Sequence, residues 1–416
     1  MKSLSIYLSS IMFLSLNVDA FDDTKMNGKI NIYYGTQDET RQDTTTPDIF
    51  NKDASYIDTA FHLELTTKLS ENVSAKISTT AVSSLGLEEN LASLTGVWSG
   101  AHSYTGTQTN DALWIDELWF DATLAHTKTK LGRQSLDTPL IFSETWSLST
   151  NTFESIMILN QDLRDTDIIA GWIGKSNSVG DDTVIPSNTG AITSQNGKFN
   201  TFSKSGAYLI GAINTSIPSL STQAWYYNIT GVSNAYWLQA DLNIEGILAG
   251  VQYTLINSHN SAFKDDLAYA FMLGYEMKDL VTIKAAFSLV DDEGSFGVTN
   301  IATRNSDSGA VSKLYTEMWF WYGTVSSTGA QSISLTAETS VAQDYELFFG
   351  YWKVQVKPVN SSPSSIDEYI VSVAKSFGPV DTLFALVYDK LAQENGFVSD
   401  DTKDLTTFQI YLTYNF

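Results

Sequence analysis

Three lysines, Lys68, Lys76 and Lys130, stand at polar positions of strongly alternating stretches. Three carboxylates, Asp137, Glu144 and Glu154, lie in or beside Leu131–Ile169, where the alternation lapses. Facing one another across a narrow water-filled space, such groups make and break no bonds. They set up a transverse field that sorts ions. Arg133 belongs with them by position but shares the parity of Leu131, so a regular strand turns it to the leucine's face. Either a bulge re-aims it, or it sits above the apolar zone, at a subunit contact. Taken singly, each of these charges reads equally well as a solvated side chain. Catalysis has less support. The four histidines, His62, His102, His126 and His259, show neither nucleophile-elbow nor zinc-helix spacing, and the chain has no cysteine to ligate a metal or form a disulfide. No cofactor is called for. Acidic stretches at Gln37–Asp48, Asp181-Asp182 and Asp400-Asp401 offer oxygen to a structural calcium ion, but without EF-hand spacing.

The elements that must position these charges are legible in the rhythm of the chain. In "AFHLELTTKLS", Phe61, Leu63, Leu65 and Leu69 alternate with His62, Glu64, Thr66 and Lys68. "LAYAFMLGYEM" and "VTIKAAFSL" repeat the pattern with Leu267–Tyr275 and Val281–Leu289. Strands of about ten residues, apolar on one face and polar or glycine on the other, are the signature of a barrel that crosses a membrane. The strands of a soluble sandwich are shorter. The last stretch, "LTTFQIYLTYNF", places Phe408, Ile410, Leu412, Tyr414 and Phe416 on one face. That face meets lipid, with Tyr414 and Phe416 at the interfacial girdle.

Composition narrows the partners. A formal charge of −23 and a pI near 4.4 argue against nucleic acid, which needs a basic surface. Residues 1–20 read as a signal peptide: Lys2, an apolar run Leu4–Leu16, and Val18-Asp19-Ala20 before the cut. Residues 21–416 then form one domain outside the cytoplasm. Beyond the signal peptide no apolar run reaches 18 residues, which excludes a spanning helix but not a closed sheet.

Connections alternate between brief turns, such as Ser70-Glu71-Asn72, Glu245-Gly246 and Gly378-Pro379-Val380, and long polar stretches, such as Gly86–Asn110, Ser178–Ser203 and Gly294–Gly329. A short link near Ser233-Asn234 is the exception on the long-loop rim. The count between these markers is about 18 antiparallel strands, with both ends on the short-turn side. "LYTEMWFWYG", within Gly294–Gly329, reads as a hairpin in a loop and leaves the count open by two.

Several stretches resemble the Opr-type major outer-membrane porins of Gram-negative bacteria, which are distantly OprD-like. They are Gly132-Arg133-Gln134, Leu136-Asp137-Thr138-Pro139, Asn151-Thr152-Phe153-Glu154, "GAYLIGAI" and "AYWLQADL". The resemblance spreads over residues 21–416. It implies an outer-membrane porin whose third long loop, about residues 138–151, folds into the barrel and narrows it. Asp137, Glu144 and Glu154 then face Lys68, Lys76, Lys130 and Arg133 in a channel that passes small hydrophilic solutes, and the strongly negative charge of the chain points to a preference for cations. The resemblance also implies a homotrimer, and a C-terminal aromatic that reads as a signal to the barrel-assembly machinery. Two alternatives are a substrate-specific OprD-like channel and a barrel acting mainly as adhesin or structural protein.

Overall fold

Alternation at this length drives the chain into long antiparallel strands, and a computed structural model shows how they close. It describes residues 23–40, 47–83, 85–87, 90–92, 112–145, 148–177, 199–203, 205–303, 311–341, 344–357, 364–393 and 403–416. The expected signal peptide and the acidic pairs Asp181-Asp182 and Asp400-Asp401 lie outside the described residues, as does His102.

The first strands are β1 (Lys25–Thr40), β2 (Ser55–Ser70), β3 (Val73–Ser83), β4 (Ala112–Leu124), β5 (Thr127–Gln134) and β6 (Phe153–Asn160). Then come β7 (Thr166–Ser176), β8 (Asn200–Thr201), β9 (Ala207–Asn214), β10 (Leu220–Ile229), β11 (Ser233–Ile244), β12 (Ile247–Ser258) and β13 (Asp266–Met277). The last are β14 (Val281–Val290), β15 (Ala330–Val341), β16 (Tyr345–Val356), β17 (Ser364–Phe377), β18 (Val380–Gln393) and β19 (Lys403–Asn415). The two-residue β8 only pairs with the end of β7, beyond its pairing with β9. The other eighteen pair antiparallel in chain order, and β1 joins both β2 and β19, so the sheet has no free edge. The expected 18-strand barrel is the observed fold.

Its two faces follow the sequence parity. Leu335, 52% exposed, points outward between Ser334 and Thr336, which point inward; Leu238, Val251, Phe271 and Leu386 are likewise exposed on the outside. These side chains would be intolerable in water over such an area and are at home in hydrocarbon. Tight turns join the strands at one rim. Glu245 and Gly246, both at positive φ (51° and 88°), turn β11 into β12, as a two-residue hairpin matched to strand twist requires. The short link on the other rim is Thr230–Val232 between β10 and β11.

The ends of the chain seal the barrel. Gly28 and Phe416 exchange backbone hydrogen bonds of 2.8 and 2.9 Å. The Phe416 ring lies over Gly28, where any side chain would collide with it, and stacks against Phe61 and Tyr414 at 5.9 and 6.0 Å.

Candidate channel constriction

Two connections fold into the bore. The first links β5 to β6, is described over 135–145 and 148–152, and buries Leu136, Leu140, Ile141, Phe142 and Leu148, the first three in the apolar cluster that also holds Tyr227 and Ile301. It closes on itself through Ser143 N–H to the Leu136 carbonyl (2.8 Å) and Glu144 N–H to Asn151 Oδ1 (2.7 Å). It then reaches two distant wall sites. The Leu140 N–H donates to the Tyr227 hydroxyl on β10 (3.4 Å). The Leu148 carbonyl accepts from His62 Nε2 on β2 (2.8 Å) and Asn31 Nδ2 on β1 (3.3 Å). The described residues of this segment thus lie inside the barrel, in contact with β1, β2 and β10.

The described parts of the second connection, 291–303 and 311–329 between β14 and β15, also lie in the lumen. Its predicted hairpin is not formed; instead "LYTEMWFWYG" crosses the bore against the wall. Tyr315 N–H donates to Gln252 Oε1 (3.1 Å), Gln252 Nε2 to the Lys313 carbonyl (2.9 Å), and Ser288 meets Thr316 hydroxyl to hydroxyl (2.6 Å). Trp319, Phe320 and Trp321 hang by their backbone N–H groups from Glu368 on β17. The two connections meet each other as well. Ile301 N–H donates to the Leu140 carbonyl (2.8 Å), Asn300 Nδ2 reaches the Phe142 carbonyl (2.9 Å) and Glu144 Oε1 (3.0 Å), and Lys313 pairs with Asp137. Glu317 is buried among them. Burial drives its carboxyl well above the usual carboxylate range, the charges of Glu144 and Glu368 push the same way, and hydrogen bonds from Ser312 oppose the shift.

The charged residues expected at the constriction separate into three groups. Lys68, Lys76 and Lys130 are on the lumen face. Lys76 is bracketed by Glu64 (2.7 Å) and Glu117 (2.5 Å), Lys130 lies 4.4 Å over the Trp119 ring, and Lys68 stands 3.6 Å from Asp23. Asp137 and Glu144 are in the inward loop but engaged there. Asp137 is 88% exposed and holds Lys313, while Glu144 is buried and takes bonds from Asn300 and Thr303. Arg133 and Glu154 pair on the outer face, in register with the outward Leu118 and continuing the line of Leu131 and Ile156. Glu154 binds Arg133 at 2.9 Å and Lys175 at 3.2 Å, and the Arg133 guanidinium covers the Phe199 ring at 4.1 Å. This corrects the expectation that Arg133 and Glu154 face the pore: no bulge re-aims Arg133, and Glu154 is paired with it by register.

A bulge does act elsewhere. The register between β3 and β4 shifts between Ser78 and Thr79, and Asp116 and Glu117 both turn inward. Asp116 accepts from Ser78 and Thr80, each at 2.8 Å. The inner wall of β1–β5 therefore carries Lys25, Lys29, Lys68, Lys76, Lys128 and Lys130 among Glu64, Asp116, Glu117 and Asp121. On β11–β18 the inward positions at the same rim hold Asp241, Glu276, Glu338, Glu346 and Asp381, with Lys284 beside Glu338 (3.8 Å). A cavity of about 820 Å³ opens along this wall, between Glu276, Glu338 and Glu346 and the stacked rings of Trp319 and Phe348. Parity alone could have found these acids, because each occupies the polar register of an alternating strand. That they gather on one side follows from the order of the staves.

No protein-family model and no curated protein matches the chain. Solved structures match in fold. OccK9 (OpdG) of Pseudomonas aeruginosa aligns with a TM-score of 0.68 at 12% identity, over 95% of this chain and 98% of that one. OpdK of the same organism, solved with vanillate, gives 0.67 at 12% identity over 95% and 99%. OccAB4 of Acinetobacter baumannii gives 0.66 at 12% identity, again over 95% and 99%. These neighbours are OprD-like outer-membrane channels, and what the chain shares with them is the fold, a closed antiparallel barrel of 18 strands.

Proposed function

We propose that this protein is an outer-membrane porin, a water-filled channel for passive diffusion of ions and small hydrophilic solutes, with a preference for cations. The observation that carries the reading is a closed barrel, apolar outside, whose bore holds two inward connections between a lysine-bearing wall and an acidic one. The transverse field of the expected mechanism is kept, but its negative side comes from Asp241, Glu276, Glu338, Glu346 and Asp381 rather than from the loop carboxylates. Several lysines of the facing wall are matched by neighbouring acids, as Lys76 is by Glu64 and Glu117, whereas the acidic wall has one lysine, Lys284. The lumen thus concentrates cations. The test is conductance of the purified protein in a planar bilayer under a salt gradient. Discrete steps with a cation-selective reversal potential are expected, and absence of steps overturns the channel reading. Glu276→Gln, Glu338→Gln and Glu346→Gln together should lower the cation-to-anion permeability ratio by roughly two- to three-fold.

The file of lysines on β1–β5 favours a second reading, a substrate-specific channel for small carboxylates. One neighbour of the same fold was solved with vanillate, a compound of that class. An anion-selective reversal potential, with current blocked by an aromatic carboxylate, would decide for it. The homotrimer rests on the sequence resemblance alone, and a band only at monomer mass in unheated native electrophoresis would end it. The outward row Phe408, Ile410, Leu412, Tyr414 and Phe416 suits a terminal strand read by the assembly machinery. Phe416→Ser should then lower the yield of folded barrel in the outer membrane.

A further inference from the structure

Glu368 is a carboxylate in an unusual place. It stands on the lumen face of β17, directly across from Trp352 on β16 and Asp389 on β18, and none of its surface is exposed. Burying such a group is tolerated only when its lone pairs are met. They are met by three consecutive backbone N–H groups: Trp319 at 2.8 Å, Phe320 at 3.2 and 3.0 Å, and Trp321 at 3.0 Å. Successive N–H groups that converge on an anion form a nest. Here the anion belongs to the wall and the nest to the connection between β14 and β15. Trp321 also leads into a short 3-10 turn, Tyr322–Thr324. The contact extends sideways through Trp319 Nε1 to Gln409 Oε1 (2.9 Å) and Gln409 Nε2 to the Tyr33 hydroxyl (3.1 Å), tying the segment to β19 and β1. Asp389, itself fully buried, sets a second carboxyl group against the first, and two such groups disfavour each other when both are ionised.

We propose that Glu368 is the latch that holds residues 311–329 across the bore, and that release of this one side chain widens the channel while the barrel stays closed. The widening rests on the channel reading; the seating of the segment does not. Glu368→Ala and Glu368→Gln are compared with wild type by two measurements on the detergent-folded protein, trypsin cleavage after Lys313 and single-channel conductance. Glu368→Ala should cut at least about tenfold faster after Lys313 and conduct roughly two-fold more. Glu368→Gln should fall between, because its amide keeps one acceptor oxygen and turns a donor toward the nest. Rescue separates a latch from a general loss of fold. Ser288→Cys with Thr316→Cys, placed where the two hydroxyls lie 2.6 Å apart in a chain without cysteine, should restore slow cleavage and low conductance to the Glu368→Ala protein when oxidised, and lose both on reduction. Wild-type cleavage in both Glu368 variants overturns the latch. If Glu368→Ala does not fold, the Gln variant with the same cysteine pair decides between latch and no latch by the same two measurements. A wild-type protein that conducts nothing refutes the channel, while the cleavage rates still judge the latch.

Discussion

The two connections that enter the bore are anchored there differently. Residues 135–145 and 148–152 close on themselves through an internal bridge between Asp137 and Phe142 and through Asn151, which accepts from Glu144 N–H, while Leu136, Leu140 and Ile141 join the apolar cluster of the wall. Residues 291–303 and 311–329 add Val298, Ile301, Leu314, Met318 and Phe320 to the same cluster, and are tied in addition to wall side chains: Gln252 on β12, Ser288 on β14, Glu368 on β17 and Gln409 on β19. A segment hung from the wall depends on a few side chains that belong to other strands. The two segments share their apolar packing and differ in how much of their polar anchoring comes from wall side chains, which is larger for the second.

The strongest way to break this comparison is to charge the apolar packing of the first connection. Ile141→Asp places an unpaired carboxylate where nothing is exposed, and should destabilise the folded barrel by several kcal/mol, about 3 or more, in urea unfolding from micelles. An equal loss from Glu368→Ala would show that the two connections are seated alike. Next in size is Leu140→Ala, which removes a fully buried side chain from the apolar cluster that both connections share and should cost about 2–4 kcal/mol in the same assay. Smaller again is the pH response of the second connection. Glu317 binds its proton more tightly in the folded protein than in the unfolded chain, so its contribution is present below the ordinary carboxylate range and fades as pH rises through its elevated folded pKa. Trypsin cleavage after Lys313 should therefore speed up with rising pH, against the background set by Glu144, Glu368 and Tyr322, and Glu317→Gln should flatten the profile. The smallest effect belongs to His62→Ala, which removes a 2.8 Å bond to the Leu148 carbonyl and should cost about 1 kcal/mol without changing the cleavage rate at Lys313.

The same contrast explains what could be read in advance. Residues 135–152 stood out in the chain because their determinants are local: the alternation stops at Gln134 and resumes at Phe153, and the segment between them holds its own apolar residues. "LYTEMWFWYG" is as distinctive, but its partner Glu368 lies 47 to 49 residues further on, in a strand that otherwise alternates normally. Arg133 shows the limit from the other side. Its parity with Leu131 already placed it on the outer face, and the register with Glu154 and the ring of Phe199 then supplied it with partners there. Asp116 and Glu117 went unnoticed because a bulge between β3 and β4 breaks the period of two that parity arguments assume.

The sequence by itself determined the closed barrel, the number of its long strands to within two, the rim on which the turns lie and the outward row ending at Phe416, because a period of two and the turn residues act over a few neighbours. Tertiary structure decided which polar residues meet: the lysines and acids gathered on opposite walls, and Glu144 enclosed between two connections. It also decided that Trp319, Phe320 and Trp321 are held by Glu368. Those outcomes depend on closure of the sheet, which brings strands far apart in the chain to face one another across the bore, and no local rule carries that distance.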